Sequence, residues 1–422
     1  MYMKLNQWPR IITVTAICCA VISCSSNSDN SRKGLIDVES AVGKGSVVNL
    51  SEIASDIKYV RLETKAESVI GNVWNVKLSK GKIYVSDNKY TISIFSEDGK
   101  FIKKFSRVGR GPEEYVDIST FQVNDTDGGI EILDRSGRII RYDAEGNFIE
   151  VIDKLYQKAR SQSFVRISDF FISSWYINSR SEDQSETKYG VTAYRDSLDI
   201  LNEKTITSYS GMKTQQIDGG MMVFMRMDPP SLIKYKDEVK FMVSECDTIF
   251  GIDSKGQISD KYVLSYGKYQ APKGMDFDSF TNNETSFITL ATGFNETERH
   301  MLFNFNLRAL APEPIVRTSK GRDGKEDVNK NTNVYAIFDK RKGDLKFLNQ
   351  PQKDKTGFKE DIIGGFPFWP RFTGNQGELI NFRNAIDIII EAEKNPDDTF
   401  MNELASMLTE NDNPVIIIVT PK

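Results

Sequence analysis

Ile83-Tyr84-Val85-Ser86-Asp87, followed by Ile92-Ser93-Ile94-Phe95-Ser96-Glu97-Asp98-Gly99-Lys100-Phe101-Ile102, decides the fold, because the same pattern returns 47 residues later. There Ile130-Glu131-Ile132-Leu133-Asp134 is followed by Ile139-Ile140-Arg141-Tyr142-Asp143-Ala144-Glu145-Gly146-Asn147-Phe148-Ile149, with Asp, Ile, aromatic, Gly, Phe and Ile all in place. A third copy, Ile249-Phe250-Gly251-Ile252-Asp253-Ser254-Lys255-Gly256-Gln257-Ile258, follows the alternating run Val239-Lys240-Phe241-Met242-Val243. In each copy the apolar residues alternate with period two, as in half-buried strands, and turns fall at the Asp and at the Gly. Gly99, Gly146 and Gly256 suit a turn whose backbone needs a positive φ. Repeats of roughly 40 to 50 residues with four short strands each are the sequence signature of propeller blades.

The spacing extends to the rest of the chain. Phe95, Tyr142 and Ile252 are equivalent, and the 110 residues between the last two leave room for one more blade, with Val191-Thr192-Ala193-Tyr194 as a strand. Asn333-Val334-Tyr335-Ala336-Ile337-Phe338-Asp339 with Gly343 supplies a fifth. A sixth starts near Gly364 and uses Glu378-Leu379-Ile380-Asn381-Phe382 and Val415-Ile416-Ile417-Ile418-Val419. Ile57-Lys58-Tyr59-Val60-Arg61-Leu62 alternates as well. Pairing it with the last blade would close the ring and remove an exposed edge. The expectation is an all-β, six-bladed β-propeller over residues 46–422, with short helical insertions near the C-terminus. These fall at about 384–394 and 398–409, the second capped by Asp397 and Asp398 ahead of Phe400, Leu404, Met407 and Leu408. The polar stretch 318–333 reads as a surface loop.

With 39% hydrophobic and 27% charged residues among 422, the composition is that of an ordinary folded protein. The 55 basic and 59 acidic residues are interleaved, which denies the chain the basic excess that nucleic-acid binding requires; no nucleic-acid partner is expected. The single histidine, His300, leaves little room for His-rich zinc sites or Ser-His-Asp catalysis, and it reads as a strand or loop residue. No cofactor and no metal are expected. Asn124-Asp125-Thr126-Asp127-Gly128-Gly129 lacks the run to a bidentate Glu of a calcium loop and reads as a β-turn. Asp87 and Asp134 occupy one position of the repeat, so they read as turn caps rather than an acid–base pair. Met221-Met222-Val223-Phe224-Met225-Arg226-Met227 reads as core packing.

At the N-terminus, Lys4 and Arg10 precede an apolar run of twelve residues, Ile11 to Ile22. That is too short to cross a bilayer core of about 30 Å as a helix, and it suits a signal segment. Val21-Ile22-Ser23-Cys24 resembles the lipobox of bacterial lipoproteins. The resemblance implies a signal peptide over 1–23, lipidation of Cys24, a membrane partner through that lipid, and a flexible tether over 24–45; the alternative is an ordinary secretory signal. Cys246 would then be the one remaining thiol, so the core is expected to be large enough without disulfides.

Phe105-Ser106-Arg107-Val108-Gly109-Arg110-Gly111-Pro112-Glu113-Glu114-Tyr115 resembles the inter-blade loop of NHL-type propellers. With the lipobox, the blade motifs and Gly364-Gly365-Phe366-Pro367-Phe368-Trp369-Pro370, residues 24–422 resemble the six-bladed, NHL/TolB-like propeller lipoproteins of Bacteroides-type bacteria. That resemblance implies the fold and an envelope location, as an outer-membrane lipoprotein, and brings no catalytic residues with it. The third blade departs from the pattern, with neither the Asp nor the Gly clearly placed. Residues that recur in every blade serve turns and cores, whereas ligand contacts need groups that break the repeat. Arg110, Glu113, Tyr115, Trp369 and Arg371 are therefore the candidate ligand-binding residues. Phe366, Phe368, Trp369 and Phe372 either form a stacking platform or pack between blades. The function expected is a lipid-anchored module binding an extracytoplasmic protein or glycan. The alternatives are a propeller-type polysaccharide hydrolase or lyase, and a structural partner in an envelope complex.

Overall fold

Each repeat folds into a four-stranded antiparallel sheet whose hairpins fall at the Asp and Gly positions of the motif. The computed structural model describes residues 34–422 except 89, 153–159, 168, 181–183, 196–198, 212, 218–219, 225–229, 244–245, 276, 292, 321–323 and 325. Two strands precede the repeats, β1 (Leu35–Asp37) and β2 (Ala54–Arg61). Blade 1 is β3 (Val73–Ser79), β4 (Lys82–Asp87), β5 (Thr91–Ser96) and β6 (Phe101–Phe105). Blade 2 is β7 (Thr120–Val123), β8 (Ile130–Leu133), β9 (Ile139–Tyr142) and β10 (Phe148–Ile152). Blade 3 is β11 (Arg160–Ile167), β12 (Phe170–Arg180), β13 (Gln184–Arg195) and β14 (Ile200–Gly211). A separate hairpin, β15 (Lys213–Ile217) and β16 (Gly220–Phe224), follows.

Blade 4 is β17 (Ile233–Tyr235), β18 (Glu238–Phe241), β19 (Thr248–Ile252) and β20 (Ile258–Ser265). After the short helix α1 (Phe277–Thr281), blade 5 begins with β21 (Thr289–Leu290) and β22 (Asn295–Glu296), both paired with β23 (His300–Asn306). A hairpin, β24 (Ile315–Lys320) and β25 (Glu326–Asn331), leads to β26 (Asn333–Asp339) and β27 (Asp344–Phe347). Blade 6 contains β28 (Phe372–Thr373) and β29 (Leu379–Arg383). The helices α2 (Ala385–Lys394) and α3 (Thr399–Ser406) come next, and β30 (Val415–Pro421) completes the chain's own part of the blade. The outer strand of blade 6 is β2, antiparallel to β30 from Ala54–Pro421 to Arg61–Val415. The ring is a six-bladed propeller closed by the two ends of the chain.

What holds the ring is a separate apolar cluster at every seam. Ile92, Ile94 and Phe105 of blade 1 meet Phe121 and Tyr142 of blade 2. Leu133 and Ile139 then meet Phe164 and Phe171, and Ile172 and Val191 meet Phe241 and Phe250. Ile249 and Leu264 meet Met301 and Phe338, Leu302 and Ile337 meet Leu379 and Ile417, and Val60 and Ile416 meet Val76 and Phe95. Each such side chain contributes about 1.5–3 kcal/mol on full burial. The repeat glycines serve these seams as well as their turns. Gly99 has φ +86°, and a Cβ there would stand 2.1 Å from the Arg61 carbonyl oxygen of the preceding blade. Gly146, at φ +96°, packs against Phe105 of blade 1 more loosely, a Cβ there falling 3.1 Å from the ring.

Three expectations need correction. Residues 34–45 belong to the packed unit rather than to a tether, because Ile36, Val38 and Ala41 are apolar and bury in the seam between blades 4 and 5. There β1 adds a fifth strand, parallel to β20. The stretch 318–333 is not a loop but mostly the exposed hairpin of β24 and β25. Asp134 caps its own turn, accepting from the amides of Ser136 and Arg138, but Asp87 reaches across to the amides of Gly71 and Asn72. Cys24 and the rest of 1–33 lie outside the described residues, as do Met225 to Met227.

Candidate functional site

Propeller geometry turns the first strand of each blade toward the axis. Here β28 touches β3, β3 touches β7 and β7 touches β11, while β17 touches β22, which touches β28. These strands enclose a cavity of about 220 Å³ lined by Asn75, Lys77, Thr120, Gln122, Ser163, Lys234, Asn295, Arg371 and Thr373. The described lining residues include no Asp or Glu. A larger groove, about 960 Å³, follows β2 on the outer rim. It is an open surface with both charge signs intermixed, Lys58 standing 3.7 Å from Glu97, so the channel is the better candidate.

Several channel groups are already fixed by protein partners. Gln122 Nε2 donates to the Phe164 carbonyl at 2.9 Å, Thr373 Oγ1 to Asn295 Oδ1 at 2.7 Å, and the hydroxyls of Ser163 and Ser174 are 2.8 Å apart. The lysines differ. Neither the Lys77 nor the Lys234 ammonium has a hydrogen-bond or ion-pair partner among the described residues. Burial pulls the Lys77 pKa down from 10.5 to about 8, and repulsion from Lys234 acts in the same direction. Asp125 opposes them from the hairpin face, where its carboxylate accepts from Ser79 Oγ at 2.7 Å and Asn375 Nδ2 at 2.8 Å. Arg371 lies in the segment just before β28, its guanidinium 4.7 Å from the Phe382 ring centroid and 5.9 Å from that of Phe372. The arrangement is a confined, polar, cationic space, suited to holding negative charge.

Of the residues singled out from sequence, Arg371 lines this channel. Trp369 is half-buried and packs behind it, stacked on Tyr335 at 3.9 Å between centroids and on Phe358 at 5.5 Å. Phe366 and Phe368 are buried. The stacking surface of Trp369 is thus taken up by Tyr335 and Phe358, while Phe372 lines the channel. Tyr115 is fully buried in the seam of blades 1 and 2, donating its hydroxyl to the Tyr90 carbonyl, and has no surface to offer a ligand. Arg110 and Glu113 are exposed on the loop 107–115, away from the channel, with Glu113 beside a separate depression of about 470 Å³. The five are not brought together. His300 is buried at the start of β23, 4.0 Å from Asp339, and burial lowers its pKa.

Lys77 and Lys234 were not singled out from sequence, although a signal existed. Asn75 and Gln122 are 47 positions apart, the period of the repeat, and both face the axis; polar residues just ahead of the first hairpin of a blade mark the channel.

The fold and this channel define a class: a six-bladed propeller, closed by its own termini, with a cationic axis. The chain belongs to the DUF4934 family, a domain of unknown function, whose profile matches residues 33–420. No curated protein matches it. Among solved structures it is similar to a Bacteroides fragilis protein thought to be exported. The two share 15% identity with a TM-score of 0.59, over 92% of this chain and 99% of that one. A member of the DUF4221 family from Bacteroides vulgatus shares 11% identity with a TM-score of 0.37, over 71% of this chain and 94% of that one.

Proposed function

We propose that this protein is a lipid-anchored binding module of the cell envelope that seats part of an extracytoplasmic ligand in its central channel. The observation that carries the reading is the channel itself: polar side chains from all six blades converge on a cavity of about 220 Å³. Its volume corresponds to about seven waters at roughly 30 Å³ each, room for one polar group of a small molecule or of a glycan. The resemblance of Val21-Ile22-Ser23-Cys24 to a lipobox and the fold shared with a protein thought to be exported support the location. Hydrolysis of a polysaccharide is less well supported, since glycoside cleavage uses two carboxylates flanking the bond and the described lining residues offer none.

The test is a glycan array and an envelope pull-down with the wild type and with Thr120→Trp, which fills the channel. Capture by the wild type and not by the plugged variant is the expected result. Equal capture by both would move the site elsewhere. Metabolic labelling with a palmitate analogue should tag the wild type and not Cys24→Ala; labelling of both would remove the anchor.

A further inference from the structure

Two half-buried lysines, joined at the mouth by the exposed Arg371, with no carboxylate among the described lining residues form an unusual wall, because withdrawing charge from water is costly unless it is paired. Two buried glutamates elsewhere in this molecule are each held by two cations. Glu131 is held by Arg141 and Arg166, at 3.2 and 2.8 Å, and Glu296 by Lys340 and Lys240, at 2.8 and 3.0 Å. The channel lysines have no such partners. Lys77 and Lys234 come from opposite blades, repel each other across the axis and find no counter-ion among the described residues. Arg371 adds a third positive group, held against Phe382 rather than against an acid. Asn75, Thr120 and Asn295 supply uncharged polar groups on the same wall.

We infer that the channel is a receptor for a compact oxyanion, a carboxylate, sulfate or phosphate group carried on a small polar molecule, with Lys77, Lys234 and Arg371 as its counter-charges. This rests on the reading of the channel as the ligand site. An oxyanion between the two ammonium groups replaces repulsion by two charge-assisted contacts, and a guanidinium adds a planar fork. Binding should also draw in a proton. With its pKa near 8 in the empty channel, Lys77 is about half protonated at pH 8, and a bound anion returns it to the charged form. Lys234 and Asp125 are the charged groups that act on Lys77, with Arg371 on the same wall.

The experiment is calorimetric titration of the full-length chain at pH 8 with inorganic sulfate, inorganic phosphate, glucuronate and glucose. It is repeated with Lys77→Met/Lys234→Met, with Lys77→Arg/Lys234→Arg, and with the plugged Thr120→Trp variant. The inference expects at least one anionic probe to bind and glucose not to bind. The methionine pair should weaken that probe at least tenfold, the arginine pair should retain it, and the order among the three anions identifies the group. It also expects proton uptake on binding, read from buffers of different ionisation enthalpy, which does not depend on any variant folding. If glucose binds as tightly as glucuronate and the plug abolishes both, the channel reading stands and the oxyanion falls. If anions bind equally to wild type, methionine pair and plug, both fall. Absence of binding by every anion, or binding without proton uptake, also overturns the inference.

Discussion

Asn413, 2% exposed just before β30, ties the closing strand to the segment that follows β2. Its Oδ1 accepts from the Ile70 amide at 2.9 Å, and its Nδ2 donates to the carbonyls of Glu63 and Ser68, both at 2.9 Å. Asn413→Ala removes these three hydrogen bonds and leaves the Ile70 N–H and the Ser68 carbonyl without partners, the Glu63 carbonyl keeping its bond from Ser68 Oγ. At about 1 kcal/mol net for each bond, with more where a buried group is left bare, the loss should be about 3–4 kcal/mol. Asn413→Asp keeps the acceptor for Ile70 but turns a carboxylate toward two carbonyl oxygens. Its folded-state pKa is therefore raised, so the variant should be weakest above neutral pH and recover as the pH falls and the carboxyl protonates. Urea denaturation followed by intrinsic fluorescence at pH 7.5 and pH 5 measures both. Asn147→Ala is the control, because Asn147 is exposed and bonds only its own turn, and it should change stability by about 0.5 kcal/mol or less. A loss under about 1 kcal/mol for Asn413→Ala, or an Asp variant insensitive to pH, would refute this account of the seam.

Lys77→Met should stabilise the protein at neutral pH by up to about 3 kcal/mol, the equivalent of a pKa held at about 8 instead of 10.5. The cost of the native lysine is fully present below pH 8 and is relieved as the pH rises toward 10.5, so the two melting curves should converge there; a variant less stable at pH 7 contradicts it. Deleting residues 415–422 strips β30 from between β2 and β29, and the product should show no cooperative melting by circular dichroism. Ile36→Asp puts a carboxylate into the seam of blades 4 and 5 and should cost about 3 kcal/mol or more, detected as cleavage near residue 34 in limited proteolysis at conditions where the wild type is intact.

Blade number and ring closure were legible because the residues that build them repeat. Phe95 and Tyr142 bury in seams at the same place in blades 1 and 2, and Gly99 and Gly146 need both a positive φ and the absence of a side chain against the preceding blade. The third blade, where the motif is weakest, still forms because its strands are longer and its core is aromatic, Phe164, Phe170, Phe171 and Trp175 being buried. Gly190 leaves the space that Trp175 fills, a Cβ there falling 2.0 Å from the indole. The site was less legible. A lysine in an alternating strand looks the same in sequence whether it faces water or the axis, and Lys77 is told apart from Lys103 only by its blade position. Lys103 bonds the Ala144 carbonyl, and Arg107 that of Gly146, so two basic residues at the end of blade 1 fasten blade 2. Arg110 and Tyr115 break the repeat for reasons of connection, one on an exposed bend and the other as the plug of a seam.

Because β2 pairs with β30, Tyr59 waits for Ile417 across most of the chain. The loop-closure entropy for such a separation is about 5 kcal/mol beyond the constant, and it is repaid only when the last strand has been made. Until then two apolar walls stay bare, Val76, Ile83 and Phe95 on one side of the gap and Leu302, Ile337 and Leu348 on the other. The fold thus contains its own test of completeness. A chain cut back into β30 presents two sticky faces to whatever proteases and chaperones it meets, whereas the pairing of β30 with β2 hides both in a single late step.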